Sequence, residues 1–426
     1  MLKQTLVLIC AAGAALAEVH PLTLKQAVEI ALKENPDIAL SRLEEQKAKQ
    51  AIQVARDPFQ PKVWAGSGAA KVWGYPSSID GSAPAIIQAR TDMALFNKPK
   101  SYEVARVREL ARGASISTQA KNDEVVYQVA LQYLDAEQLA RSAASLQLEI
   151  QSLERVASTM QLRVEEGREL PIENKRVAVD LARARQRAEA LQDDLDYAQA
   201  SLAVVLGYPA ADRVQTASED RPGLVVPETE SAARELALQN NKELRRLHSQ
   251  LDAKGLEIKE YGPAGRLPVI GLVAQYALFS KSNYQDFFTK VQRNNAELGV
   301  SISIPVLTGS AGKGLRAQAL TDVAEIRTQI NQTRNRIELD TQRTYFEMKK
   351  AAAARNVARL DLDYARDQVS LLLTQLEEGR STQQRIDDAR FTEQEKWIAY
   401  YDSQRELEKA RLDVLRQTGT LVEALK

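Results

Sequence analysis

The sequence predicts a mainly α protein with a β contribution: a tandem duplication of long α-helical hairpins, with two candidate strands ahead of each hairpin. Three observations predict it. Leu139, Ala143, Leu146, Ile150, Leu153, Ala157, Met160 and Val164 recur at steps of four and three, the heptad stripe of a helix lying along a partner helix. Beyond Glu165-Glu166-Gly167-Arg168 a second stripe runs through Val177, Leu181, Ala184, Ala188, Leu191, Leu195, Ala198, Leu202 and Val205, so two long helices meet at a short glycine turn. Finally, Leu376-Glu377-Glu378-Gly379-Arg380 repeats Val164-Glu165-Glu166-Gly167-Arg168 at an offset of 212 residues.

The duplication extends well past that pentapeptide. At the same offset the first stripe falls on Ala351, Arg355, Ala358, Leu362, Ala365, Val369, Leu372 and Leu376, and Gly207 falls on Gly419. If the first outgoing helix starts near Tyr102 it holds about 64 residues, roughly 95 Å at 1.5 Å per residue. No compact domain needs a rod of that length.

Composition agrees. Only 5% of the residues are aromatic and 27% are charged, with 57 basic against 57 acidic side chains. Long amphipathic helices have this make-up, and a neutral balance argues against nucleic-acid binding. The charges are interspersed, as on solvated helix faces.

At the N-terminus, Met1-Leu2-Lys3, an apolar run from Leu6 to Leu16 and the small residues of Ala15-Leu16-Ala17 read as a signal peptide over 1–17, cleaved before Glu18. Cys10, the single cysteine, lies inside it. A lipid-anchor role for Cys10 is the competing reading, disfavoured by the bulky Ile9 before it. After the signal no apolar run approaches the 18 residues or so of a membrane helix. Membrane strands, whose signal is alternation, stay open.

Taken in order, residues 22–57 read as two helices split at Asn35-Pro36, with Leu24, Ala27, Val28, Ala31 and Leu32 on one apolar face. Ala233, Leu236 and Ala237, followed by Asn240-Asn241, open the second repeat in the same way. Each repeat then reaches a proline, Pro61 or Pro268, at a change from helix to strand. The β-hairpins span about 62–96 and about 268–307. Ile87, Ala89, Thr91, Met93 and Leu95 alternate with Gln88, Arg90 and Asp92, while Leu298, Val300, Ile302, Ile304 and Val306 alternate with Gly299, Ser301 and Ser303. About ten residues of this kind cross a bilayer at a tilt; a half-buried soluble sheet is the plainer alternative. The preceding strands, 63–73 and 269–279, alternate poorly. Trp73, Tyr75, Phe279, Tyr284, Phe287 and Phe288 gather near the hairpin loops, as an interfacial girdle or as ordinary packing.

The long helical hairpins follow at about 101–206 and about 311–425, which places the first repeat at 18–209, a linker at 210–227 and the second repeat at 228–426. Gly309-Ser310-Ala311-Gly312-Lys313-Gly314 lacks the spacer and the Ser or Thr of a phosphate loop and reads as a strand-to-helix turn. Four strands cannot span a membrane alone, because open edges leave unpaired amides in hydrocarbon. The smallest common barrels have eight strands, so at least two chains are required.

The duplicated layout, Asn35-Pro36-Asp37-Ile38, Pro61 and Pro268, Leu206-Gly207-Tyr208-Pro209 and the two glycine tips together resemble the outer-membrane efflux proteins typified by TolC, over essentially the whole chain after the signal. The resemblance implies a homotrimer: a trimeric α-barrel below, and four strands per protomer contributing to a twelve-stranded transmembrane β-barrel. It implies a place in the bacterial outer membrane, extending into the periplasm, with outer-membrane lipid around the strands. The partners implied are a periplasmic adaptor (membrane fusion) protein and an inner-membrane transporter, with no nucleic acid and no cofactor. The function implied is the passive exit duct of a tripartite efflux or type I secretion system. The alternative is a non-conducting periplasmic coiled-coil scaffold.

In such proteins the hairpin tips meet the adaptor, which transfers to Gly167, Arg168 and Glu169 and to Gly379, Arg380 and Ser381. Turn glycines flanked by solvated charges are the simpler reading of the same residues. Acidic residues past the second tip line a constriction in the family, which transfers to Asp388, with Asp387 beside it. Two departures stand out: Arg385 occupies a position where an aspartate is expected, and Arg168-Glu169-Leu170-Pro171 replaces a small, apolar run. The last helix carries the more polar stripe (Ala389, Glu393, Lys396, Tyr400, Ser403, Leu407, Ala410, Val414), so the second hairpin is expected nearer the tunnel. Enzymatic readings fail: with only His20 and His248, neither a zinc site nor a Ser-His-Asp set can be assembled.

Overall fold

A computed structural model describes residues 18–67, 85–217, 223–279, 294–306, 309–378 and 380–426. The signal peptide with Cys10, the loops between paired strands, Trp73, Tyr75, Tyr284, Phe287, Phe288 and Gly379 lie outside the described residues. Chain order is β1 (Val19–Leu22), α1 (Leu24–Glu34), α2 (Pro36–Arg56), β2 (Lys62–Gly66), β3 (Ala85–Phe96), α3 (Lys98–Glu165), α4 (Pro171–Leu206), β4 (Arg213–Thr216), α5 (Glu230–Asn240), α6 (Lys242–Glu260), β5 (Val269–Phe279), β6 (Asn294–Ser303), α7 (Ala311–Glu377), α8 (Gln383–Thr418) and α9 (Leu421–Ala424). One unit takes Met1–Leu40, Gln119–Asn241 and Arg334–Lys426; the other takes Ser41–Thr118 and Lys242–Thr333.

In the first unit the apolar faces of short helices close over the ends of long ones. Thr23 caps α1 through a capping box with Gln26, and Leu24, Ala27, Val28 and Ala31 turn inward. Asn35 then stops α1. Its Oδ1 accepts the Asp37 and Ile38 N–H groups at 2.9 and 3.1 Å, which caps α2, and its Nδ2 donates to the Val205 carbonyl at 2.7 Å. Pro36, with no N–H to satisfy, begins α2. The second repeat solves the same problem with Asn240, whose Nδ2 donates to the Thr418 carbonyl at 3.1 Å.

Both return helices end in Schellman turns. Gly207 (φ +94°) and Gly419 (φ +70°) are left-handed; the Tyr208 N–H reaches the Ala203 carbonyl at 2.9 Å and the Thr420 N–H reaches Leu415 at 3.1 Å. Around these ends lies the core: Val125, Val126, Val129 and Tyr133 of α3, Leu202 and Leu206 of α4, and Leu412 and Leu415 of α8.

Two tyrosines hold matching places, separated by the 212-residue offset. Tyr133 is fully buried, and its hydroxyl lies 3.0 Å from the Leu22 carbonyl and 3.1 Å from that of Ala217. Tyr345 donates to the Glu228 carbonyl at 2.6 Å. Each fixes the segment just ahead of its repeat's first short helix. Because Leu22 O also accepts from the Ala217 N–H at 2.9 Å, Tyr133→Phe leaves that carbonyl paired. The variant is expected to lose about 1 kcal/mol, read as a lower melting temperature in detergent.

Heptad seams hold the rods. Each residue of the four stripes is buried or half-buried, the polar Glu393, Lys396 and Tyr400 included. Cross-helix bonds run from α4 to α3 (Arg185–Glu154, 2.7 Å), from α3 to α8 (Arg405–Asp135, 2.5 Å) and from α8 to α7 (Lys396–Asp361, 3.2 Å). Within the first unit, then, α4 packs on α3, α3 on α8 and α8 on α7.

In the second unit the short helices take the flanking places. Thr118 Oγ1 of α3 donates to the Ser41 carbonyl of α2 at 3.2 Å, and Ser249 of α6 donates to the Glu109 carbonyl of α3 at 2.5 Å. Lys254 of α6 pairs with Asp322 of α7 at 2.9 Å.

One feature was not anticipated. Residues 210–227, read as a linker, contain β4, which pairs in parallel with β1, Val19 opposite Arg213 through Leu22 opposite Thr216. Strands of four residues are too short for periodicity to show.

Candidate functional site

The second unit contains a four-stranded antiparallel sheet in the order β2-β3-β5-β6. Directly opposed residues in such a sheet point to the same side. The register sets Val63 against Thr91, Thr91 against Ala274 and Ala274 against Leu298; one step along, Met93 faces Leu272, which faces Val300. Ile87, Leu278, Tyr276, Ile270 and Ile302 join that side. The other side carries Lys62, Asp92, Arg90, Gln88, Gln275, Glu297, Ser301 and Ser303, together with Trp64, Ala94, Val269, Gly271, Val273 and Ala277.

The poor alternation of 269–279 thus has a cause. On the polar side β5 places Val269, Gly271, Val273 and Ala277 around one glutamine, so its sequence looks apolar throughout. Pairing, more than composition, decides which face each residue joins.

The apolar side is uncovered: Leu298 is 79%, Val63 71% and Ile302 66% exposed. A continuous apolar sheet face of this size needs lipid or another protein against it. β3, β5 and β6 have 12, 11 and 10 residues, enough for a tilted crossing of a hydrocarbon core. Among the described residues, β2 and β6 each have one neighbour, so both edges of the sheet are open.

The hairpin tips are in the first unit. Gly167 has φ +71°, and the Arg168 N–H returns to the Arg163 carbonyl at 2.8 Å, again a Schellman turn. Arg168 is exposed and meets Glu166 at 3.3 Å, while half-buried Glu169 meets Arg163 at 3.8 Å. Leu170 and Ile172 stand exposed on either side of Pro171. Sequence reasoning noted this run only as a departure; its exposed apolar pair is the part it missed. At the second tip the Arg380 N–H returns to the Gln375 carbonyl at 2.7 Å, and the Arg380 side chain pairs with Glu378 at 2.9 Å. Ser381 is half-buried, with its hydroxyl unpartnered. Gly379 itself lies outside the described residues.

Arg385 and Asp388 lie one turn apart on α8, both exposed, with Asp387 half-buried and Ile386 fully buried. Ile386 therefore marks the packed side, and Arg385 and Asp388 share the solvent side.

Farther along the hairpins a buried carboxylate interrupts the seam. Glu149 of α3 takes a hydrogen bond from Arg187 of α4 at 3.1 Å, and the Arg187 guanidinium also lies 5.7 Å from the Phe391 ring of α8. Burial pushes the Glu149 carboxyl above its ordinary value; Arg187 opposes this and Glu395 adds to it. A carboxyl raised on folding contributes stability that is present below the unfolded value and lost as pH rises through the folded one. Glu149→Gln is therefore expected to melt higher than the parent near pH 7. The difference should close below the ordinary value of 4.5, as a pH series of melting curves would show.

Among the described residues, no helix is long and apolar enough to cross a membrane. The sheet face and the long polar hairpins define the class: a β-barrel membrane protein with a helical extension. The chain belongs to the outer membrane efflux protein family, whose profile matches residues 27–208 and again 233–425. Its place is the outer membrane, reaching into the periplasm, and the proteins it resembles are channels rather than enzymes.

Solved structures agree on the fold. The Campylobacter jejuni CmeC outer membrane channel is 12% identical, with a TM-score of 0.75 over 93% of this chain and 86% of that one. A Pseudomonas aeruginosa membrane protein is 16% identical, with a TM-score of 0.74 over 93% and 92%. The open state of the Neisseria gonorrhoeae MtrE outer membrane channel is 15% identical, with a TM-score of 0.70 over 93% and 89%. A comparison with curated protein sequences returned no match.

Proposed function

We propose that three copies of this chain form the exit duct of a tripartite efflux or type I secretion system. The carrying observation is the register of β2, β3, β5 and β6, which gathers an exposed apolar face on one side, puts Lys62, Arg90, Asp92 and Glu297 all on the other and, among the described residues, leaves both edges open. A spanning sheet must close, and three copies give twelve strands around a polar lumen. α7 supplies a second, outward stripe (Leu339, Phe346, Val357, Leu360, Tyr364, Leu371) away from α8, suited to a helix of the neighbouring copy. The duct is passive. Substrate handed over by an inner-membrane transporter leaves through it without returning to the periplasm.

In this reading residues 1–17 direct export, and the tips at Gly167, Arg168 and Glu169 and at Gly379, Arg380 and Ser381 meet the periplasmic adaptor. Exposed Leu170 and Ile172 give the first tip an apolar contact beyond its charges. Arg385, Asp387 and Asp388 belong to the constriction, with the second hairpin toward the tunnel. A threefold ring of Asp388 focuses field on cations, and Arg385 one turn away offsets it. Asp388→Asn is therefore expected to lower cation-over-anion permeability a few-fold, and Arg385→Ala to raise it, both read as reversal potentials in a salt gradient.

The test of the duct is conductance in planar bilayers: steady channels are expected, and a protein that never conducts refutes the reading. The scaffold alternative leaves the apolar sheet face without a partner.

A further inference from the structure

Asp212 is a nearly buried carboxylate to which neither the sheet nor the tips give a role; its side chain is 11% exposed. Its Oδ1 accepts the Glu18 backbone N–H at 3.3 Å, and its Oδ2 faces His20 Nε2 at 3.3 Å. The loop before β4 aims it there. The Asp212 N–H bonds the Pro209 carbonyl at 3.0 Å, and the His20 ring stacks on Tyr208 at 4.3 Å. The cation next in the chain donates to carbonyls instead: the Arg213 guanidinium bonds those of Ala210, Ala211 and Asp212 itself, at 3.3, 3.1 and 3.0 Å. His20 is a cation only when protonated. A carboxylate this enclosed is stable when a cation meets it.

We infer that Asp212 is the receptor for the α-amino group created at Glu18 when the export signal is removed. The inference rests on the reading of 1–17 as a signal cleaved before Glu18. Hydrolysis of the Ala17–Glu18 amide by signal peptidase adds one water: the carbonyl carbon of Ala17 becomes a carboxylate, and the Glu18 nitrogen leaves as an ammonium. That nitrogen already stands at hydrogen-bonding distance from Asp212, so no backbone movement is needed. One neutral N–H contact becomes a charge-assisted one, with two further donors for Oδ1 and water. The Glu18 carbonyl, bonded by the Arg213 N–H at 2.9 Å, holds the new terminus in register. Processing thus locks β1 onto β4, next to the Leu22 and Ala217 carbonyls that Tyr133 binds.

The experiment uses full-length protein purified from the envelope. Intact mass reads where the chain begins, and acylation by a succinimidyl ester near neutral pH reads how well the α-amine is held. The expected mass starts at Glu18. Acylation should be slow in the folded parent and several-fold faster in Asp212→Asn. Inserting Ser-Gly after Ala17 moves the amine away while leaving Asp212 intact, and is also expected to label fast. A chain beginning at any other residue, acylated Cys10 included, overturns the cleavage step. If the parent begins at Glu18 but its amine labels as fast as that of the insertion variant or of Asp212→Asn, the receptor is overturned.

Discussion

Leu298→Arg is expected to remove the protein from the outer membrane, and Glu297→Arg is not. The two residues are adjacent on β6 and face opposite sides: Leu298 stands opposite Ala274 on the apolar side, Glu297 opposite Gln275 on the polar side. Position 298 is near the middle of the strand, so its side chain sits near the bilayer midplane when the strand spans. An arginine on the lipid face costs about 2–4 kcal/mol at that depth. Three copies pay it together in a trimer, which is enough to turn stable insertion into failure of assembly. On the lumen side an arginine stays in water, and its cost is small. Fractionation of cell envelopes, with heat-resistant oligomer read on semi-native gels, checks both variants. Equal behaviour of the pair would mean that the sheet has no lipid side.

The second large effect is at the ends of the return helices. Gly207→Ala must hold a side chain at φ +94°, and its Cβ would lie 2.9 Å from the Glu34 carbonyl oxygen. The left-handed conformation alone costs roughly 1–2 kcal/mol. The close contact adds to it, because a backbone oxygen between two packed helices cannot swing aside. Gly419→Ala meets Asn240 Cβ at the same 2.9 Å and should behave alike. Gly167 is the internal control: it has φ +71° with nothing within 4 Å of an added Cβ. Its alanine variant should show only the conformational cost, as a small fall in melting temperature. Gly207→Ala and Gly419→Ala should fall much further, by the equivalent of about 3 kcal/mol.

Much of this was legible in the sequence for a simple physical reason. A seam that runs for about seven or eight turns writes the same constraint many times, so Leu146, Ile150, Ala184 and Leu202 announce their partners by spacing alone. The duplication doubled that signal. The glycines at the helix ends were legible too, since left-handed backbone leaves little choice of residue.

The sheet was half legible. β3 and β6 alternate openly, whereas β5 hides its polar face behind Gly271, Val273 and Ala277, and only the register with Asp92 and Glu297 assigns its sides. β1 and β4 were not legible at all, because four residues carry no period and their parallel pairing joins segments almost two hundred positions apart. The Glu149–Arg187–Phe391 contact escaped for a related reason: it depends on three helices meeting, and no single heptad records a third neighbour.

The central claim is that one chain supplies a third of a closed wall and becomes a duct only when its edges find sister copies. Native mass spectrometry of the full-length protein released from mild detergent tests this directly. Three chains per particle, persisting on dilution, is the predicted result. A particle that holds a single chain under every condition that keeps it folded would contradict the account.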